Sequence, residues 1–215
     1  MRVKTLLELS AALDDMTRWR NHELVNLRSF FISGGKSANL VALKKSALLL
    51  IYAHWEGAVK DMSGAYLSHI EQQKILRAKL KPAILALASL KAIRQASFSN
   101  KILPYEQVVD YIVNSGSHTY KLPNIKLIDT ESNLSTTVLK NILMSVGLHG
   151  DVGHFEDKER FIDVALLATR NDIAHNGASS REEMPVDQII DGVLHLILTF
   201  RNAVENGAAT KLYLV

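Results

Sequence analysis

The sequence predicts an all-α fold: a helical bundle of about four main helices with a less regular insertion before the last two. Three observations carry this. Apolar residues recur at three- and four-residue spacing over most of the chain, the periodicity of helices buried on one face. Hydrophobic residues make up 47% of 215 residues, enough to fill a core. Only four prolines and eleven glycines interrupt the pattern, and there is no internal repeat.

Leu6, Leu9, Leu13 and Met16 start the first helix near Thr5, and it runs to the mid-twenties. Ser33-Gly34-Gly35-Lys36-Ser37 breaks the pattern. A second long helix spans about Ala38 to Ile70, and its centre, S-A-L-L-L-I-Y-A-H-W-E, is apolar nearly all round and so buried on most sides. Glu71 to Arg94 reads as further helix with a basic face, restarted at Pro82. Residues 96–133 are less regular, with Pro104, Pro123, one short helix over Glu106–Val113 and the β-rich run Ile125–Ile128. Asp129 to Asn133 reads as turn and cap, Leu134 to Val146 as helix, and Gly147 as its terminator. The segment 147–156 reads as loop. Glu159 to His175 forms a helix closed by Asn176-Gly177, and the last helix runs from Pro185 to about Asn206. One domain over 1–215, with an insertion at about 96–133, accounts for the whole chain.

Composition narrows the function. The chain has no cysteine, so disulfides and cysteine-ligated zinc are excluded. Its longest apolar stretch, Ser46 to Trp55, is about half the roughly twenty residues a membrane span needs. No signal-like block follows the start, and a cytoplasmic protein without membrane contact is expected. The net charge of +3 hides an asymmetry: residues 1–99 hold 15 Lys/Arg against 7 Asp/Glu, and residues 100–215 hold 10 against 15. The basic half suits phosphate, although charged helix faces are also simply solvated.

The informative run is Leu166-Leu167-Ala168-Thr169-Arg170-Asn171-Asp172-Ile173-Ala174-His175. Three strongly polar residues follow an apolar stretch late in a helix, and a histidine closes it. At about 100° per residue, Asn171 lies about 100° and His175 about 140° round the helix from Arg170. Cleavage of RNA needs a group that exchanges a proton near neutral pH, and histidine fits. It also needs a group that stabilises a developing phosphorane, and a guanidinium forks onto two phosphate oxygens. The same residue types also permit a purely structural reading. A histidine at a helix C-terminus complements the helix dipole, and Arg170 can pair with Asp172 or another acid.

R-N-D-I-A-H resembles the Arg-x4-6-His motif of the HEPN superfamily, including the polar residue directly after the arginine. The run L-L-L-I-Y-A-H-W-E-G-A-V-K in the second helix and S-N-L-S-T-T-V-L-K-N-I-L-M-S-V-G-L at 132–148 are similar to the matching elements of the MAE-type and RiboL-PSP HEPN-like nucleases. The three lie in the family's order and together span most of residues 38–200. This resemblance implies a helical homodimer in which two motifs face each other and form one composite site. It implies a metal-independent endoribonuclease, without cofactor, that leaves a 2′,3′-cyclic phosphate and a 5′-hydroxyl. Arg170 takes the phosphate-binding role, His175 that of general base or acid, and Asn171 the supporting polar position. Many members are toxins or host-defence nucleases, so an antitoxin or a defence-system protein is an implied partner beside RNA. Other members are inactive and bind RNA or a partner protein, and that is the alternative reading.

Secondary candidates are weighed on their own chemistry. Glu56, in the apolar second helix, forms an ion pair with Lys60 at i+4 or orients Arg170 or His175; a carboxylate in such surroundings needs a partner. Tyr52 lies one turn earlier. Lys74, Arg77 and Lys81 on the basic face are candidate RNA-binding residues, feeding a polyanion to a motif that lies in the acidic half. Gly34-Gly35-Lys36-Ser37 is not a phosphate-binding loop, because Phe30 stands where that pattern needs glycine. His149, Asp151, His154 and Glu156 have donor atoms but no metal-ligand spacing, and solvated loop residues are expected there.

Overall fold

The computed structural model describes residues 2–32, 40–123, 126–176 and 185–215. Three long helices, α1 (Leu6–Ile32), α2 (Leu40–Gln72) and α7 (Val186–Ala209), pack on one another. Around them lie α3 (Pro82–Ser97), α4 (Ile102–Asn114), α5 (Thr136–Ser145) and α6 (Thr169–Asn176). The described residues form no strand, only two isolated bridges, Leu76 with Thr119 and Leu80 with Leu214. The all-α expectation holds.

Local chemistry sets the helix ends. Thr5 and Glu8 form a reciprocal cap: the Glu8 amide donates to Thr5 Oγ1 at 3.1 Å, while Glu8 Oε2 accepts from the amides of Thr5 and Lys4. Ser135 Oγ accepts from the Val138 amide at the start of α5. At the end of α5, Gly147 takes φ +84°, the left-handed region where a side chain is strained. The amides of Gly147 and Leu148 then donate back to the carbonyls of Met144 and Leu143, so Gly147 terminates the helix as expected.

α2 is the hub. Trp55, fully buried, packs on Phe155 and Phe200 with ring centroids 6.4 and 6.3 Å away. Arg20 of α1 is buried as well, and its Nη1 and Nη2 donate to the Met16 carbonyl and to Asp61 of α2. Arg201 of α7 binds Asp14 of α1 at 2.8 Å and Glu205 of its own helix at 2.8 Å. The third helix of the hub is thereby keyed to the first.

Several expectations need correction. α1 continues to Ile32, because Leu24, Leu27 and Phe31 extend its core stripe. The stretch 71–94 is not one helix with a basic face. Lys74 lies in a turn at φ +52°, Arg77 in a single 3₁₀ turn, and Lys81 caps α3, so the three share no helical face. Backbone groups of residues 75–81 bond instead to Tyr120, His118, Tyr213 and Val215, and Pro82 supplies no amide. α4 begins at Ile102 rather than Glu106, and Pro104 is tolerated in its first turn, where amides lack intrahelical acceptors. The segment taken for loop after Gly147 is a 3₁₀ stretch, His149–Lys158, that buries Asp151 and Phe155. Leu127 and Ile128 pack on the core without forming a strand. Ile125, the Gly34–Ser37 segment and Gly177 lie outside the described residues.

The predicted helix over 159–175 changes winding. Phe161–Ala168 is π-helical, and α6 follows without a break. Phe161, at its start, sits directly against Gly192 of α7, where an added Cβ would fall 2.2 Å from the ring. Gly192→Ala should therefore destabilise the protein by about 1–3 kcal/mol through overpacking. Gly64→Ala, exposed on α2 with nothing within 4 Å of the new Cβ, should stabilise it by up to about 1 kcal/mol through helix propensity. Urea denaturation of both variants beside the parent checks the pair of opposite signs.

Candidate active site

The chemistry-bearing residues meet where α6 packs on α2. Arg170 lies in the first turn of α6, directly after the π stretch. A π-helix closes i→i+5 rings, is rare, and occurs frequently at functional sites; Thr169 Oγ1 donates to the Val164 carbonyl five residues back. Ile173 on the same short helix is buried and anchors it against the core. Arg170, Asn171 and Asp172 are half-buried, and His175 is exposed.

Arg170 is held from two sides. Its Nη1 donates to Asn171 Oδ1 at 2.7 Å, which fixes one edge of the fork. Its guanidinium carbon lies 5.2 Å from the centroid of the Tyr52 ring on α2, within cation–π range. The structure thus brings Arg170, Asn171 and Tyr52 together, and Glu56 stands one turn along α2 from that tyrosine.

Glu56 is embedded rather than free. Its side chain is 13% exposed, and Oε1 accepts from Lys60 Nζ at 2.6 Å and from the Thr130 hydroxyl. Burial pushes its carboxyl up, but the hydrogen bonds from Lys60 and Thr130, with the charges of Lys60 and Arg170, outweigh it and hold the group below its ordinary value. Glu56 is therefore an anion at neutral pH, facing the field of Arg170. Tyr52 goes the other way. Burial raises its hydroxyl above the usual phenol value, only partly opposed by the Leu134 hydrogen bond, so it stays a neutral, acceptor-side anchor.

Glu56 thus pairs with Lys60 and also lies within the field of Arg170. Thr130 escaped the sequence reading. It lies 74 residues from Glu56, and a threonine in a turn-like run carries no signal of its own. The segment it belongs to is pinned across the site at three points. Thr130 bonds Glu56, the Leu134 amide donates to the Tyr52 hydroxyl at 2.7 Å, and the Thr136 amide donates to Asp163 of the π stretch at 2.7 Å.

Other candidates are not gathered here. His175 lies in the last turn of α6, about 7.5 Å along the axis from Arg170, and is exposed. Lys74, Arg77 and Lys81 lie past the far end of α2, whose last residue is 16 positions, or about 24 Å, beyond Glu56. Arg77 is itself engaged, stacked 3.9 Å over Tyr111. His154 and Asp151 approach to 3.6 Å, and no group of three or more candidate metal ligands occurs among the described residues. No helix among them is long and apolar enough to cross a membrane.

Residues 15–206 match the RiboL-PSP-HEPN family, a span that contains Tyr52, Glu56, Thr130 and the whole Arg170–His175 run. No curated protein and no solved structure matches the chain.

Because the folded-state Glu56 value is depressed, its stabilising contribution is complete above the ordinary carboxylate range and is lost as pH falls through the depressed value. Glu56→Gln should therefore flatten the acid limb of a stability-versus-pH curve. Thr130→Val should lower stability at neutral pH by about 1–3 kcal/mol, the scale of a hydrogen bond to a charged group. It should also move the Glu56 titration, read by carboxyl NMR, upward.

Proposed function

The chain belongs to the RiboL-PSP-HEPN family, which points to a nuclease-like or RNA-binding role, and from that premise we propose that it is a metal-independent endoribonuclease. The observation that carries this reading is the state of Arg170. Its guanidinium is pre-oriented by Asn171 and the Tyr52 ring in the field of a half-buried anion, Glu56, while His175 of the same helix stands open to solvent. A positioned fork beside an accessible imidazole suits a phosphodiester.

In this mechanism His175 takes the proton of the RNA 2′-hydroxyl, whose oxygen attacks the adjacent phosphorus. Arg170 binds the non-bridging oxygens and stabilises the charge that grows on them in the phosphorane. The bond to the 5′-oxygen then breaks, and that oxygen leaves with a proton from a second imidazolium. The products are a 2′,3′-cyclic phosphate and a 5′-hydroxyl. The nucleophile belongs to the substrate, so no metal-bound water is needed. Asn171, Tyr52, Glu56 and, through Glu56, Thr130 position Arg170 and touch no reacting atom.

One protomer supplies one histidine, and the reaction uses a base and an acid. A homodimer with facing motifs provides both. Leu43 and Leu50 are 37 and 39% exposed and share one side of the half of α2 that leads to Tyr52, open apolar side chains suited to pairing near the site. Lys74, Arg77 and Lys81 serve, in this reading, only RNA long enough to extend along α2. An unrestrained ribonuclease harms the cell that makes it, which fits a cytoplasmic toxin or defence role under the control of a partner such as an antitoxin.

Purified protein should cut RNA in EDTA, and Arg170→Ala and Asn171→Ala should each lower the single-turnover rate, the former by about 100-fold or more. His175→Ala should abolish cleavage, and a 2′-deoxy substitution at the cut position should block it. RNA binding without cleavage by the parent would assign the chain to the inactive, binding members instead. Activity only with added magnesium or manganese would overturn the mechanism.

Mixed Arg170→Ala and His175→Ala protomers test the composite site. Recovery of activity in the mixture is expected, and full activity of a monomer at assay concentration would exclude sharing.

A further inference from the structure

α4 is the least covered helix among those described. None of its thirteen residues is buried. Pro104, Val108 and Tyr111, one turn apart along one side, are half-buried, and α3 is the main element packed against the helix. A second row remains open: Ile102, Tyr105, Val109, Ile112 and Val113 are 79, 42, 58, 62 and 69% exposed. Their spacing puts all five on a single stripe, with Ile102, Tyr105, Val109 and Ile112 in the three-and-four alternation of a helix-pairing seam. Exposed apolar residues scattered singly need no explanation, but a contiguous stripe marks an interaction surface.

Charge selects the occupant. The next row round the helix is Glu106 and Asp110, both exposed; the α4 sequence ILPYEQVVDYIVN holds no lysine, arginine or histidine, and Arg77 and His118, which line a groove with these carboxylates, lie on the Tyr111 side of α4, away from the stripe. We propose that this face docks an amphipathic helix of another protein, whose aliphatic ridge sits on the stripe and whose Lys or Arg side chains meet Glu106 and Asp110. A second copy of the chain is the poorer fit. Antiparallel pairing about a two-fold axis would match Ile102 with Ile112 and Tyr105 with Val109, which places the axis level with residue 107. Glu106, one position away, would then face its own copy, and like charges so placed oppose association. A basic helix converts the same carboxylates into attraction and into selectivity for its register.

The probe is a fluorescein-labelled synthetic helix of about four turns with leucine at the seam and lysine on both flanks, beside the same peptide with glutamate on the flanks. Anisotropy titrations against the full chain should show saturable binding of the lysine peptide, about tenfold or more tighter than the glutamate peptide at low salt. I102S/V109S/I112S should abolish binding. E106K/D110K leaves the apolar stripe intact and should reverse the ranking of the peptides. Both variants change exposed side chains only, and circular dichroism checks that the helices persist. Equal affinity for the two peptides, no binding of either, or binding that survives the triple variant would each overturn the proposal. So would self-association of the parent that the triple variant removes, since a second copy would then cover the face.

Discussion

α2 is enclosed by α1, α6 and α7, and that enclosure is the constraint on which the site depends. A helix buried on most sides has little water to offer a polar side chain, so each polar group on it must be satisfied by a neighbour or left at a cost of a few kcal/mol. The Leu134 amide answers Tyr52 and Lys60 with Thr130 answers Glu56, while Asp61 of α2 answers the buried Arg20 of α1. The demand comes from burial around Trp55. Its consequence is that segments distant in sequence are fastened at the place where Arg170 arrives.

The π stretch shapes that arrival. Had residues 161–168 stayed α-helical, the motif would be rotated and shifted relative to the buried side chains Ile162 and Leu166 that precede it. The wider winding is held near its start, by Phe161 against Gly192 and by Asp163 on the first amide of α5. Arg170 then lies in the first turn of a short α-helix that buried Thr169 and Ile173 lock to the core. The arginine is thus positioned by packing on one side and by a carboxamide and an aromatic ring on the other, while the histidine at the far end keeps its access to solvent.

Electrostatics divides the molecule into places with different tasks. At the site the half-buried Glu56 carboxylate accepts from Lys60 and Thr130 and is held below its ordinary value, so it stays charged beside Arg170. The lysines and arginine after α2 are spread over a turn, a 3₁₀ turn and a helix cap, and form no continuous track. α4 carries the opposite character, an acidic row beside open aliphatic side chains. In a chain of net charge +3 the described surface with a definite character of its own is thus the acidic and apolar one on α4.

The sequence by itself determined the helical class, the long helices α1, α2 and α7, the glycine stop at Gly147 and the polar run that ends in His175. Each follows from local periodicity, capping chemistry or backbone sterics, which act over a few residues and are written in order along the chain. It also marked Glu56 as a carboxylate in need of a partner, because the apolar run around it could not solvate it. Only the tertiary structure decided what that partner set would be. Thr130 reaches Glu56 across 74 residues, Tyr52 meets Arg170 because α6 lands on α2, and residues 75–81 leave the helix because their backbone groups find partners near 118–120 and 213–215. The π winding belongs to the same class. Its cost in helical geometry is offset by contacts with α5 and α7, and those contacts exist only once the chain has folded.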